Sequence, residues 1–250
     1  MSGHSKWSSI KHKKGATDAK RGQLFTKLSR DITMAARDGG GDPEMNARLR
    51  LAILKARESN MPNDNIERAV QRGTGGGEAD SLQEILYEGY GPGGTAVLVE
   101  AVTDNRNRTV AEVRNAFSRG GGNLAENGAV AWQFELRGLI SVLAEGADTD
   151  ELQLLAIESG ALDVSEDDGV VEVVTEPAML EAVREALSEA GVEIARAEIA
   201  QVPKTVVPLD ESKAVQALRL LERLDELDDV ARVYSNADFP AEALEAVGAS

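Results

Sequence analysis

Apolar side chains recur at helical spacing in three segments between residues 17 and 73, and these segments predict three helices. The first ends at a run of three glycines. The second opens with Asp42 as its N-cap, and the third opens with Asn63 as a cap and stops at Gly73 in the left-handed conformation. The apolar positions are Leu24, Phe25, Leu28, Ile32 and Ala35 in the first helix, Leu49, Ile53 and Ala56 in the second, and Ile66, Ala69 and Val70 in the third.

From residue 82 the apolar period changes to that of strands. Two runs, LQEILYEG and TAVLVEAVT, flank the turn GYGPGG at 89–94 and predict a β-hairpin. This turn has the glycine spacing of a dinucleotide-binding loop. Such a loop must open a helix, whereas both flanks here are strands, so we interpret it as a tight hairpin turn. A helix at about Thr109–Arg119 and a strand near Val130–Phe134 follow.

Residues 137–200 show the order of a ferredoxin-like unit, βαββαβ. The predicted elements are strand 138–143, helix 149–159, strand 161–165, strand 170–175, helix 177–190 and strand 192–199. Beyond Pro203 the pattern predicts one more helix at 211–227 and a strand at 230–235. This last pair is too small to fold alone, so we infer that it returns to join the segment 82–133.

The pattern therefore predicts an α+β fold with three domains. An N-terminal three-helix domain with a basic leader spans 1–77, and a discontinuous α/β domain is made of 78–133 plus 204–240. A ferredoxin-like domain at 134–203 is inserted in it. That inserted domain is strongly acidic, since it holds seventeen Asp and Glu against three Arg.

Charge is distributed very unevenly along the chain. Residues 1–37 contain six Lys and three Arg against two Asp, a net charge of +7. Because the whole chain of 250 residues carries −16, residues 38–250 carry −23. A polyanion would be repelled by most of the molecule and attracted to its N-terminal end, which indicates an oriented encounter with nucleic acid. The alternative is a disordered, solubilising tail, although such a tail has no need of Trp7 or Ile10.

Composition argues against most classes of enzyme. The chain has no Cys, which excludes disulfides and thiolate metal sites, and its two histidines, His4 and His12, both lie in the leader. Forty-three acidic residues make chance carboxylate pairs inevitable, so no pair indicates catalysis. We expect no enzymatic activity, no cofactor and no metal. Neither an apolar run of eighteen residues nor a signal segment occurs, so we expect a cytoplasmic protein with no membrane partner, and a monomer.

The leader contains what contact with a nucleic acid requires. Its cations supply charges for phosphates, and Trp7 offers a flat face on which an unstacked base can lie. Trp7 could instead anchor the leader on the body of the protein, and both roles could hold. The candidate contacts in and after the leader are Lys6, Trp7, Lys11, His12, Lys13, Lys14, Lys20, Arg21 and Lys27.

A second candidate contact is the segment DNRNRT at 104–109, between a strand and a helix. Asn105 and Asn107 suit tight turns and Thr109 suits an N-cap, so local structure explains four of the six residues. Arg106 and Arg108 remain as candidate nucleic-acid contacts. No element typical of base reading, such as a compact helix-turn-helix or a zinc finger, is evident.

Five segments in order resemble the YebC/PmpR family, whose relatives include the mitochondrial translational activator of cytochrome c oxidase. They are MSGHSKWSSIKHKKGATDAKRGQLFTKL at the N-terminus, MPNDNIERAVQRGTG at 61–75, YEGYGPGG at 87–94, TDNRNRT at 103–109 and GGNLAENGAVAWQFE at 121–135. The resemblance implies a three-domain, crescent-shaped molecule in which the third domain is inserted in the second.

The family resemblance implies two functions. One is a cytosolic, DNA-binding regulator of transcription. The other is a translation factor that binds the ribosome and relieves stalling, for example at consecutive prolines, through contacts with ribosomal RNA or tRNA. By resemblance, the leader contacts nucleic acid and Arg106 and Arg108 lie in a matching loop. A scaffold that works through the acidic inserted domain is a third hypothesis.

Overall fold

A computed structural model describes residues 18–76, 81–143, 149–167, 169–240 and 242–244. The helices are α1 Asp18–Gly39, α2 Ala47–Glu58, α3 Asn63–Thr74, α4 Arg106–Arg119, α5 Thr149–Glu158, α6 Leu180–Glu189 and α7 Glu211–Asp225. The strands are β1 Gln83–Tyr90, β2 Ala96–Thr103, β3 Asn123–Leu124, β4 Phe134–Leu143, β5 Asp163–Asp167, β6 Val170–Thr175, β7 Ile194–Pro203, β8 Val207–Pro208, β9 Val230–Ser235 and β10 Ala237–Asp238. No described helix is long and apolar enough to cross a membrane.

Helices α1, α2 and α3 form a helical unit with its own apolar core. Leu28 and Ile32 of α1 pack there with Leu49 and Ile53 of α2 and with Ile66 of α3. These are the positions that the helical spacing selects, because residues three and four apart share one face. The α+β class and the order of helices before sheets are confirmed.

Asn46 caps α2, and the prediction of Asp42 as its N-cap is wrong. The side-chain oxygen of Asn46 accepts from the backbone N–H of Leu49 at 3.1 Å. Its buried amide also donates to the carbonyl oxygens of Ala35 and Gly40, both at 2.8 Å, and so satisfies the end of α1. Asp42 instead accepts from the N–H of Glu44, which makes a local turn.

Gly73 lies inside α3, and its predicted role as a left-handed stop is also wrong. The helix continues to Thr74 and ends at Gly75, which stays in the right-handed region. A Cβ at Gly73 would lie 2.4 Å from the carbonyl oxygen of Thr33 and 2.7 Å from Cβ of Ala36. The glycine is therefore required because α1 and α3 approach too closely there for any side chain.

The central sheet has the order β3-β1-β2-β9, so the strand after α7 pairs with the second strand of the hairpin. Val97 of β2 lies opposite Ser235 of β9, and all the pairings are antiparallel. Helices α4 and α7 cover one face with Val113, Phe117 and Leu218. Between β1 and β2, the glycine-rich segment forms a short 3₁₀ turn and opens no α-helix.

The outer sheet has the order β5-β6-β4-β7, the antiparallel arrangement of a ferredoxin-like βαββαβ unit. Its helices α5 and α6 cover one face, where Leu187 of α6 packs in one core with Ile140 of β4 and Val171 of β6. Its other face packs on the central sheet, where Leu98 of β2 meets Leu139 of β4. Strand β2 thus has both faces buried, which explains its nearly continuous apolar sequence.

The predicted strand at Val130–Phe134 is wrong, and the buried carboxylate of Glu88 gives the reason. It accepts from the backbone N–H groups of Gly128, Val130 and Ala131 at 2.5–2.7 Å. Those N–H groups are therefore not available to a strand ladder, and a 3₁₀ turn precedes β4. Burial would raise the pKa of Glu88, but the three backbone donors lower it below its ordinary value.

A cluster of charged side chains joins the helical unit to both sheets. Glu198 of β7 lies 3.3 Å from Lys55 of α2 and also pairs with Arg196. Arg232 of β9 lies 3.3 Å from Asp31 of α1 and 3.2 Å from Glu100 of β2. Although burial would raise the pKa of Glu198, the surrounding cations hold it well below its usual range.

Candidate nucleic-acid interface

Most of the basic leader lies outside the described residues. This part includes the candidates Lys6, Trp7, Lys11, His12, Lys13 and Lys14. Lys20 lies in the first turn of α1. Arg21 is exposed, and its guanidinium lies 5.6 Å from the centre of the Phe25 ring, a cation–π contact that leaves its N–H groups open to a partner.

The next cations of α1 are held by the last turn of α7 and the loop after it. Lys27 donates to the carbonyl oxygen of Asp225, in the last turn of α7, where the helix dipole favours a cation. Arg30 donates to the carbonyl oxygen of Asp228 at 2.6 Å and lies 3.1 Å from a carboxylate oxygen of Asp229. Lys27 thus holds α1 against α7, and its predicted contact with nucleic acid would come in addition to this structural role.

The helix after β2 begins one turn earlier than predicted, at Arg106. Its N-cap is Asn105, whose side chain accepts from the backbone N–H of Arg108 at 3.1 Å. The prediction of Thr109 as the N-cap is therefore wrong. The hydroxyl of Thr109 is buried inside the helix and points to a carboxylate from another part of the chain.

That carboxylate is Asp229, whose side chain is only 2% exposed. Its Oδ2 lies 3.0 and 2.8 Å from the hydroxyls of Thr103 and Thr109 and 2.7 Å from the guanidinium of Arg108. Its other oxygen faces Arg30. Burial would raise the pKa of Asp229, but these donors together lower it below its ordinary value.

Arg106 and Arg108 therefore have different surroundings. Arg108 pairs with Asp229 and, at 3.0 Å, with Asp104, and these hydrogen bonds raise its pKa. Its charge is matched within the protein. Arg106 is exposed and makes no ion pair among the residues that the structure describes. Of the two arginines, Arg106 is the one whose charge has no carboxylate partner among the described residues, so it is the better candidate for a phosphate contact.

A groove between α4 and α7 contains Arg219 and Arg223, which the sequence analysis did not select, together with Arg119, which could extend the face of Arg106 and Arg108. Arg119 of α4 and Arg219 and Arg223 of α7 line it, with Gln216 and Ser212 beside them. The signal in the sequence is the four-residue spacing of Arg219 and Arg223, which places both on one helical face. Arg119 is separated from them by about a hundred residues, so only the packing of α4 on α7 brings the three together.

Trp132 is a further exposed aromatic side chain. Its ring is 67% exposed, and the indole N–H donates to the carbonyl oxygen of Ala129 at 3.1 Å. A ring fixed by its own turn and open to solvent can stack on a nucleic-acid base. Within the described ranges, no group of three or more His, Asp or Glu side chains could hold a metal ion.

Comparison with known proteins gives matches over both halves of the chain. Residues 5–76 match the family model described as the TACO1/YebC protein N-terminal domain, and residues 82–237 match the TACO1/YebC second and third domain. A relative from Dehalococcoides mccartyi (strain CBDB1), called a probable transcriptional regulatory protein, is 59% identical over 98% of each chain.

Two further similarities extend this result. A protein of Syntrophus aciditrophicus (strain SB), also called a probable transcriptional regulatory protein, is 53% identical over the full length of both chains. The crystal structure of a conserved hypothetical protein from Aquifex aeolicus superposes with a TM-score of 0.82 at 47% identity, covering 89% of this chain and 92% of that one.

Proposed function

This chain belongs to the TACO1/YebC family, and from that premise we propose that it regulates gene expression by binding nucleic acid through its basic N-terminal segment. The relatives are called probable transcriptional regulatory proteins, so DNA-binding regulation of transcription is the first form of the proposal. The observation that carries it is the polarity of charge, +7 over residues 1–37 against −23 over the remainder.

The contacts around α1 support an oriented encounter. Because the last turn of α7 and the loop after it hold Lys27 and Arg30, the leader is joined to a helix with a fixed position on the central sheet. The acidic body repels phosphates, so a polyanion is directed to the leader and to the exposed Arg106. We propose contacts from Lys6, Lys11, Lys13, Lys14, Lys20 and Arg21 to phosphates, from His12 by stacking or hydrogen bonding, and from Trp7 by stacking.

A translation factor that binds the ribosome is the second candidate. The observation that favours it is the acidity of residues 134–203, which suits contact with basic ribosomal proteins while the leader enters RNA. The third described helix also offers little for base reading. Its Arg68 side chain is bonded to the carbonyl oxygen of Asp64 and to the side chain of Asn65 in the same helix.

Substitutions in the full-length chain test the leader. Replacing Lys13 and Lys14 by Gln removes two phosphate contacts, so the slope of log K against log[salt] should fall by about one for each contact. Trp7→Ala should weaken single-stranded RNA binding while leaving that slope unchanged, because stacking releases no counterion. If Trp7→Ala lowers only the melting temperature, Trp7 is an anchor. If the double lysine variant binds every RNA and DNA probe as the wild type does, the proposed function is wrong.

Crosslinking in cells followed by sequencing of the attached nucleic acid separates the two forms. A transcriptional regulator should recover promoter DNA, and should bind it at least tens-fold more tightly than unrelated DNA, because specificity ratios of about 10³ or more are typical. A ribosome factor should recover ribosomal RNA and co-sediment with ribosomes at physiological salt. The double lysine variant is the control, since it should reduce recovery in either case.

A further inference from the structure

The groove between α4 and α7 lies on the outward side of the helices that cover the central sheet. The buried sides of the two helices pack on the sheet through Phe117 and Leu218, while Arg119, Arg219 and Arg223 stand at the open side. Arg119 lies on one wall and the other two lie four residues apart on the facing wall. Four residues of helix correspond to about 6 Å along the axis, so the two α7 arginines follow one another along their wall.

These guanidinium groups have no carboxylate partner in the part of the chain that the structure describes. Among the residues that the structure describes, none of the three makes an ion pair or a side-chain hydrogen bond. By contrast, Arg30, Arg108 and Arg232 do pair with acids. Among the described residues, the carboxylates that line the groove are Glu211 at one end and Glu112 at the other.

Three like charges that face one groove repel one another, and the repulsion is relieved when an anion enters. The chain has 43 acidic residues against 27 Lys and Arg, so pairing these arginines with internal carboxylates would have been easy. Guanidinium groups donate in a planar fork that fits phosphate oxygens, and the neighbouring Gln216 and Ser212 can add neutral hydrogen bonds. The chemistry of the groove therefore fits a phosphodiester backbone.

The groove also lies next to the point where the leader joins the body. Leu227 and Arg223 line the end of the groove beside the loop that follows α7. In that loop Asp228 accepts from the side chain of Gln23 at 3.3 Å. Gln23 is five residues from the start of α1, about 7.5 Å along the helix axis. One nucleic acid can therefore reach both.

We propose that the α4–α7 groove is a second contact site for the phosphate backbone of the nucleic acid that the leader binds. The proposal rests on the proposed function, and it adds a second site beside the point where the leader joins the body. The leader brings the polyanion to one end of the groove, and Arg223, Arg219 and Arg119 then hold successive parts of its backbone. Because these contacts are with phosphates, they add affinity and orientation without selecting a base sequence.

The variant that tests the site is Arg219→Gln with Arg223→Gln in the full-length chain. Its matched control is Arg114→Gln with Lys213→Gln, which removes the same charge from the same two helices. Arg114 and Lys213 are exposed, lie outside the groove and make no ion pair among the described side chains. All four positions are exposed, so both variants should melt at the temperature of the wild type.

Binding is measured with a labelled single-stranded RNA of about 16 nucleotides and with a DNA duplex of similar length, from about 50 to about 200 mM salt. The groove variant should bind whichever of these two probes the wild type binds more tightly about five- to thirtyfold more weakly, from two exposed charge contacts. Its salt slope should fall by about one for each arginine. The control should change affinity by no more than about twofold, as expected for loss of net charge alone.

The inference is overturned if the groove variant keeps the affinity and slope of the wild type, or if the control loses as much. It is also overturned if polyglutamate competes for the groove as well as RNA or DNA does, because the site is then a general anion site. The Lys13 and Lys14 variant keeps this result separate from the proposed function. If only the Lys13 and Lys14 variant loses binding, the leader binds nucleic acid and the groove does not. If only the groove variant loses binding, the groove binds nucleic acid and the proposed role of the leader is wrong.

Discussion

Asp229→Asn should be strongly destabilising, because this carboxylate connects three parts of the chain. It accepts from Arg30 of α1, from Arg108 of α4 and from the hydroxyls of Thr103 and Thr109. Asparagine keeps the size of the side chain but removes its charge. In either orientation of the asparagine amide, its NH₂ group faces the guanidinium of Arg30 or of Arg108. Both groups are hydrogen-bond donors, so that contact has no acceptor.

The magnitude follows from what is left unpaired. Breaking a buried ion pair by removing one partner costs about 3–5 kcal/mol. The side chain of Arg108 is 43% exposed and can regain water, so we expect the lower end, about 3 kcal/mol. For a chain of this size, that corresponds to a fall in melting temperature of roughly 6–12 °C. Urea unfolding at pH 7 measures the same quantity as a free energy.

The pH dependence gives a second measurement. Asp229 has a lowered pKa in the folded state, so its contribution is complete above the unfolded value of about 3.9 and is lost as the pH falls through the folded pKa. The difference in stability between wild type and Asp229→Asn should therefore stay constant from pH 7 to about pH 5 and shrink in stronger acid. Asp228→Asn is the control, since Asp228 is exposed and, among the described residues, its carboxylate has only the Gln23 contact at 3.3 Å. If the two variants unfold alike, Asp229 does not hold these elements together.

Two further pairs of variants test the helical unit and the candidate interface. Gly73→Ala should lower the free energy of unfolding by about 2 kcal/mol, because overpacking against backbone costs about 3 kcal/mol and the better helix propensity of alanine returns about 1 kcal/mol. Gly22→Ala is the control. It has open space around it and should raise the free energy of unfolding by up to about 1 kcal/mol. Equal melting temperatures for the two would show that α1 and α3 can separate freely. Arg106→Gln should weaken nucleic-acid binding about two- to fivefold at unchanged melting temperature, while Arg108→Gln should cost about 2 kcal/mol of stability, measured by urea unfolding, because a buried carboxylate loses a donor. The opposite result would exchange the roles of the two arginines.

The order and type of most elements could be predicted from periodicity, because each helix and strand buries a continuous apolar face. The strand at 230–235, for example, has the predicted bounds. Apart from Gly73, where α1 and α3 approach closely, the wrong predictions share a physical cause, since each depends on a polar side chain that bonds to a distant part of the chain. Asn46 caps α2 because it also satisfies the end of α1, and Glu88 prevents a strand at 130 by binding three backbone N–H groups. Local sequence contains no sign of those partners.

The candidate interface could be predicted only in part, for a related reason. The leader stands out as a run of cations along the chain, so counting charges finds it. Arg108 looks equivalent to Arg106 in the sequence, and only the return of Asp229 after α7 shows that its charge is matched. The groove arginines form no run of charge in the sequence, and they line one groove only because α4 and α7 pack side by side.

The pairing of Val97 with Ser235 has a consequence for biogenesis. During translation, β2 leaves the ribosome long before β9. The edge of β2 in the β1–β2 hairpin is therefore unpaired and exposed at a stage when the ferredoxin-like unit can already fold. The residues that bind Lys27 and Arg30 of α1 are Asp225, Asp228 and Asp229, and they leave the ribosome at nearly the same time as β9. In a truncated polypeptide, α1 would therefore lack its binding site on the end of α7. Only in the full-length chain is the basic leader joined to a helix of fixed orientation.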